Sequence, residues 1–184
     1  MERLLLHICC GPCATHVFEV LRERFELTGY LYNPNIHPEE EYRLRAEAVK
    51  RWAQQVGLAL LEGPYEPEVW HRATQGMSAE AEGGKRCEVC FRLRLDTTAR
   101  TAQRQGFRCF ATTLTVGPTK RAAVVNRIGR EAAQPYALAF SEEDFKKHGG
   151  FQRSLELSRA FGLYRQHYCG CIYSLQQRTA PPAT

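Results

Sequence analysis

The order of hydrophobic patterns predicts an α/β fold: a parallel sheet of about five strands with helices on both faces. Short apolar runs alternate along the chain with longer segments of helical spacing. Turn-forming sequences such as Asn33-Pro34-Asn35 and Gly63-Pro64 close the apolar runs. Apolar residues make up 43% and charged residues 24%, as in an ordinary globular domain, and 184 residues suffice for one substantial core.

The elements follow in order. Residues 4–8 are an apolar run of strand length, and residues 14–25 carry Val17, Val20 and Leu21 at helical spacing. Residues 27–32 read as a second strand. Pro38 and the three glutamates after it open a helix to residue 56, because proline and acidic side chains suit a helix N-terminus. Residues 58–61 form a third strand, 66–73 a short helix and 79–85 a mobile loop. Residues 87–105 read as a helix carrying Cys90, Leu93 and Leu95. A fourth strand over 107–114, a helix over 119–133 and a fifth strand over 136–140 complete the pattern. The expected organisation is one domain over 1–175, with a C-terminal helical segment closing over a metal site. A disordered tail over 176–184 ends in Ala180-Pro181-Pro182-Ala183-Thr184.

Seven of the eight cysteines fall into three tight groups: Cys9, Cys10 and Cys13; Cys87 and Cys90; Cys169 and Cys171. A disulfide framework needs an oxidising compartment and usually a core-poor domain. No secretory leader is seen before the first group, so a reduced, cytoplasmic chain is expected. Four thiolates suit a closed zinc site and equally an iron–sulfur cluster; spacing alone does not separate the two. Either choice leaves three thiols over. Side chains of adjacent residues diverge along an extended backbone, so Cys9 and Cys10 are expected to serve two different centres. A cluster with a second metal, or a cluster with a redox-active thiol pair, fits that count. Cys109, in Phe107-Arg108-Cys109-Phe110, reads as a small buried hydrophobe.

In parallel sheets, ligands gather beyond the carboxyl ends of the strands. The first cysteine group stands there after the first strand, and Thr112-Thr113-Leu114 ends the fourth strand comparably. No apolar run approaches a membrane span. The net charge of +5 is modest and admits nucleic-acid binding without requiring it.

Six motifs occur in order: His7-x-Cys9-Cys10-Gly-Pro-Cys13, Tyr32-Asn33-Pro34-Asn35-Ile36-His37-Pro38, Arg86-Cys87-x-x-Cys90, Thr112-Thr113-Leu114-x-x-x-Pro118-x-Lys120, Asp144-Phe145-x-Lys147 and Leu163-Tyr164-Arg165-Gln166-x-Tyr168-Cys169-Gly170-Cys171. Together they resemble the QueH-type epoxyqueuosine reductase family, over nearly the whole chain. Gly11 stands where many relatives have alanine, and Cys13 where some carry an aspartate.

The resemblance implies a Rossmann-like sheet of the nucleotide-hydrolase type. It also implies the last step of queuosine biosynthesis, two-electron reduction of epoxyqueuosine at the wobble position of a tRNA. The implied cofactors are a 4Fe–4S cluster and a second, mononuclear ion of iron or zinc, with no cobalamin. An external electron donor, ferredoxin- or flavodoxin-like, is expected. The expected division gives the cluster Cys10, Cys87, Cys90 and either Cys169 or Cys171, with Cys169 assigned. Cys9, Cys13 and Cys171 are left for the ion.

Each remaining motif residue has a functional and a plain structural reading. His7 is either a hydrogen-bond donor to a sulfur or simply packed. His37 lines the site or shapes a turn, and Asp144 donates a proton or caps a helix. Tyr164 and Tyr168 hold a flipped base or form a core edge. Lys120, Arg121, Lys146, Lys147 and Arg165 are assigned to tRNA phosphates, as are Arg127 and Arg153 more loosely; solvated helix faces look the same. Two other classes share these features: a zinc-stabilised tRNA-binding module and a sulfur-transfer protein acting on tRNA. Against the second, Pro12 interrupts the run of free amides that a nucleotide loop needs after the first strand.

Overall fold

A computed structural model of the chain describes residues 1–179. Five parallel strands lie in the order β3-β2-β1-β4-β5. They are β1 (Glu2–Ile8), β2 (Phe25–Leu31), β3 (Ala59–Glu62), β4 (Cys109–Thr112) and β5 (Ala139–Phe140). Seven helices accompany them among the described residues. These are α1 (Gly11–Leu21), α2 (Glu39–Val56), α3 (Pro67–Ala73), α4 (Lys85–Arg104), α5 (Ala122–Ala133), α6 (Gly150–Ala160) and α7 (Ile172–Thr179).

β1 is central because it is apolar on both faces, as a strand covered by two helical layers must be. Leu4, Leu6 and Ile8 pack with α1 and α2, whereas Leu5 packs with α4 and α5. The chain builds β2 and β3 on one side of β1, then crosses to build β4 and β5 on the other. Strand order therefore switches between β1 and β4, and a crevice opens at their carboxyl ends.

Four departures from expectation have local causes. α1 begins at Gly11, so the thiol loop is the first turn of the helix; Pro12 is tolerated there because early helical N–H groups lack partners anyway. β4 ends at Thr112, whose hydroxyl oxygen accepts the N–H of Leu114 (3.2 Å) and starts a 3₁₀ turn over Thr113–Val116. The 79–85 loop is not free: one Arg86 guanidinium nitrogen donates to the carbonyls of Met77 (2.8 Å), Ser78 (3.3 Å) and Glu80 (2.6 Å). Residues 176–179, expected in a disordered tail, belong to α7, and residues 180–184 lie outside the described residues. Among the described residues, no helix is long and apolar enough to cross a membrane.

A candidate metal centre at the carboxyl ends of the strands

β1 delivers Cys9 and Cys10 into the crevice. Cys10 is still extended (φ −168°, ψ 161°), and the helix begins one residue later. The first turn of α1 then brings Cys13 back over Cys10, with the N–H of Ala14 bonded to the Cys10 carbonyl at 3.2 Å. The three sulfurs all lie within 4.8 Å of one another, and those of Cys9 and Cys10 are 3.7 Å apart. The expected divergence of Cys9 and Cys10 is thus not what the structure shows; the helix start re-aims Cys10 toward its neighbour. Thiolates 2.3 Å from a common tetrahedral ion would be separated by about 3.8 Å. The triad fits such an ion.

Neutral donors surround these sulfurs. Thr113 accepts the N–H of Cys9 at 3.0 Å and donates its hydroxyl to the Cys9 sulfur at 3.2 Å. The Gln166 amide donates to the Cys10 sulfur at 3.0 Å. Hydrogen bonds from Cys10 and Cys13 pull the Cys9 thiol well below its ordinary range, against its burial.

The other four thiols line one small cavity. Cys87 and Cys90 lie a helical turn apart at the start of α4. Cys169 and Cys171 flank Gly170, whose φ of 126° is a conformation that favours glycine. Cys87 accepts the N–H of Gly83 (3.2 Å), and Cys171 accepts that of Ser174 (3.4 Å). A hydrogen bond from Cys171, with the charges of Lys120 and Arg94, holds Cys169 down to about 5 despite burial; Cys171 moves up correspondingly.

A larger cleft, open to solvent, adjoins this cavity and is lined by Cys9, Cys10 and Cys13. Cys169, Arg94 and Lys120 line both spaces. Proximity therefore groups Cys9 with Cys10 and Cys13, and Cys87 with Cys90, Cys169 and Cys171. Relative to the expected division, Cys10 and Cys171 change places.

The 168–171 loop is held by a side chain that sequence reasoning did not single out. Arg45 of α2 donates to the carbonyls of Tyr168 and Cys169, both at 3.0 Å, and to the Glu41 carboxylate at 2.7 Å. Glu41 also accepts the Tyr164 hydroxyl at 2.7 Å. The Arg45 and Glu41 side chains are only 3% and 10% exposed. Their i,i+4 spacing is visible in the sequence, but it looks like a solvated helical pair, and only the fold shows it buried.

Other motif residues divide by location. Lys120, Arg165 and Tyr168 line the cleft. Burial opposes the Lys120 charge, yet the neighbouring thiolates of Cys169, Cys9 and Cys13 raise its pKa. Tyr168 donates its hydroxyl to the His37 carbonyl, and burial pushes its own pKa to about 12. His37 lines neither space. Its ring packs between Trp70 and His71, and its backbone N–H binds the Gly170 carbonyl at 2.8 Å. Asp144 also lies outside both spaces and pairs with Lys146 at 3.0 Å. Lys146 donates as well to the Lys120 carbonyl at 2.9 Å, so it is a structural tie. Arg121 and Lys147 are exposed and away from the cleft lining. Arg127 and Arg153 are engaged in ion pairs with glutamates.

His7 has no bond to a sulfur. Its Nε2 lies 3.1 Å from the Tyr32 carbonyl, which only accepts, so Nε2 carries the proton. Nδ1 then accepts from the Thr112 hydroxyl at 2.9 Å. Burial, with Arg94 nearby, lowers the His7 pKa to about 4.

The folded pKa of His7 lies below the ordinary 6.5, so its contribution to stability is complete above pH 6.5 and is lost as pH falls through 4. Unfolding free energy should be about 2 kcal/mol lower at pH 5 than at pH 7 on this account, and His7→Gln should flatten the slope in denaturant titrations. Arg45→Met strands Glu41 and frees the thiol loop. It should cost about 3–5 kcal/mol and speed alkylation of Cys169 and Cys171 relative to Cys109, read by mass spectrometry. Unchanged alkylation would show that the loop holds without Arg45.

The family model for epoxyqueuosine reductase QueH matches residues 4–177. Proteins named epoxyqueuosine reductase QueH are similar along most of the chain. The one from Streptococcus pyogenes serotype M1 is 38% identical over 181 residues, covering 95% of this chain and 71% of its own. That from Haemophilus influenzae is 39% identical over 177 residues, covering 95% and 72%. That from Thermotoga maritima is 37% identical over 182 residues, covering 97% and 93%. With seven thiols converging at the switch point of a parallel sheet, and with that match along nearly its whole length, the chain belongs to the QueH family of epoxyqueuosine reductases.

Proposed function

We propose that this chain is an oxidoreductase that reduces epoxyqueuosine in the anticodon of a tRNA to queuosine. The epoxide takes up two electrons and two protons, both carbon–oxygen bonds break, a carbon–carbon double bond forms and the oxygen leaves as water. The observation that carries the reading is the adjacency of two thiol groups, of four and of three, along one continuous crevice. A single closed zinc tetrahedron has no use for seven.

The donor set fits a cluster beside an ion. Cys87, Cys90, Cys169 and Cys171 would hold the 4Fe–4S cluster, and Cys9, Cys10 and Cys13 the single ion, leaving it short of one protein ligand. When bound, the two supply electrons one at a time and a Lewis acid for the epoxide oxygen. The protein's own residues do the rest. Thr113 and Gln166 donate to the sulfurs of Cys9 and Cys10 and fix their directions. Arg45 fixes the loop that carries Cys169 and Cys171. Trp70 and Phe91 supply the apolar part of the wall of the four-thiol cavity.

The cleft is open to solvent, as the approach of a nucleoside requires. Tyr168 stands in its lining for stacking against the base, and Arg165 and Arg178 stand in it for phosphates. An external ferredoxin- or flavodoxin-like donor would supply the electrons. Asp144 and His37 take no part in this account, since neither lines the crevice.

Protein purified without oxygen should contain about four acid-labile sulfides per chain and should convert epoxyqueuosine tRNA in the presence of a strong reductant. Cys87→Ala should lose the sulfide, whereas Cys9→Ala should keep it and lose activity. Zinc without sulfide in the wild type would overturn the redox reading in favour of a zinc-stabilised RNA-binding protein. For the tRNA surface, Arg165→Glu with Arg178→Glu should weaken binding. The dependence of log affinity on log salt should flatten by about 1 for each phosphate no longer neutralised. Lys147→Glu, at an exposed residue outside the cleft lining, should change neither.

A further inference from the structure

Arg94 is a buried cation without an anion. It is 3% exposed, and among the described residues no carboxylate lies within ion-pair distance of it. Its Nε donates to the Cys90 carbonyl at 3.2 Å, and one terminal nitrogen reaches Asn33 Oδ1 at 3.5 Å. Asn33 is itself fixed, since its amide donates to the Ile8 carbonyl at 2.8 Å. The guanidinium has five N–H groups, so most of its donors are left for the two spaces that Arg94 lines.

Arg86, also buried and lining the four-thiol cavity, spends its hydrogen bonds on loop carbonyls. Lys120, partly buried, is a second cation at the thiols. It lines both spaces, forms no ion pair among the described residues, and is anchored through its carbonyl by Lys146. Glu82 also borders both spaces, but its carboxylate accepts from the Ser174 hydroxyl and pairs with neither cation. A fixed charge in a low-dielectric interior is tolerated when an opposite charge sits beside it. The groups available for that are the thiols. Seven thiolates outweigh the positive charge of a cluster core and a divalent ion, so the loaded centre is net negative and becomes more so on reduction.

On the reading given above, we infer that Arg94 and Lys120 are the counter-charges of the thiolate centre and set its reduction potential by favouring the reduced state. Both act on the reaction through the metal centre, as positioning and tuning residues. Net charge and hydrogen bonding at the sulfurs are established levers on cluster potentials. Lys120 thereby serves the buried centre and not a tRNA phosphate.

The test uses anaerobically purified, cluster-loaded protein without tRNA. Its readouts are iron and acid-labile sulfide per chain, and the midpoint potential from a titration followed by electron paramagnetic resonance. Arg94→Gln and Lys120→Gln should each move the midpoint to more negative values, and Arg94→Lys and Lys120→Arg should return it toward the wild type. An Arg94→Gln protein that assembles no cluster while Arg94→Lys assembles one also supports the inference, because charge separates the two. Wild-type potentials in both glutamine variants overturn it, as does loss of the cluster in Arg94→Gln and Arg94→Lys alike. These results leave the reductase reading standing; a wild-type chain with zinc and no sulfide overturns both.

Discussion

Charge balance around buried thiols governs this molecule. Three arginines are almost fully buried: Arg45 and Arg94 at 3% exposure and Arg86 at 1%. An unpaired ion in a protein interior costs several kcal/mol even after relaxation. Arg45 has Glu41 as its anion. Arg86 turns one terminal nitrogen to three loop carbonyls and covers the ring of Tyr173 at 4.4 Å, while its buried Nε has no partner among the described residues. Arg94 has the Cys90 carbonyl, Asn33 and the ring of Phe91 at 5.6 Å, but among the described residues no carboxylate within ion-pair distance. Each arginine also ties a thiol segment to the scaffold: Arg45 the 168–171 loop, Arg86 the approach to α4, and Arg94 the first turns of α4. On the inference drawn above, thiolates held at a bound metal would answer the charge of Arg94, and metal affinity would then be coupled to folding.

The sheet explains why the thiols meet at all. The central strand β1 ends where strand order switches, so its loop opens into a crevice that helices do not cover. Thr112 and Thr113, at the end of the neighbouring β4, face that loop and bind both His7 and Cys9. α4 presents Cys87 and Cys90 one turn apart on one helical face. The last pair comes from an irregular loop, whose position depends on the Arg45 clamp rather than on a regular element.

Much of this was legible in the sequence, for definite reasons. β1 was readable from the run Leu4-Leu5-Leu6, β2 from Leu27, Tyr30 and Leu31 closed by Asn33-Pro34-Asn35, and α2 from Pro38 and the three glutamates at its start. The extent of β4 was not readable, since Thr113, Leu114, Thr115 and Val116 are all good strand residues; a hydroxyl bond at Thr112 overrides that preference. The seven thiols were identifiable as a set, but their grouping depended on the helix starting at Gly11. A later start would have left Cys9 and Cys10 diverging. Lys120 and Lys146 look alike as basic surface residues. The fold turns one inward to the thiols and ties the other to Asp144 and a backbone carbonyl. Burial of charge depends on tertiary packing, and no local pattern encodes it.

The two spaces differ in a way that bears on how the proposed reaction is arranged. The four-thiol cavity is small and walled by Trp70 and Phe91, and Cys87 at its edge takes a hydrogen bond from the exposed loop at Gly83. The three-thiol cleft is large, open and rimmed by Arg165 and Arg178. A narrow, thiol-lined space suits a centre that only passes electrons, whereas a centre that must meet a nucleoside needs an open approach with cations for its phosphates. Cys169 stands in the wall between them, beside Arg94 and Lys120. On the proposed reading, electrons arrive through the α4 side and the base through the cleft, so donor and tRNA need not compete for one surface. A reductase that takes two electrons singly while keeping hold of a large RNA gains directly from that separation, because the second electron can arrive without release of the first-reduced complex.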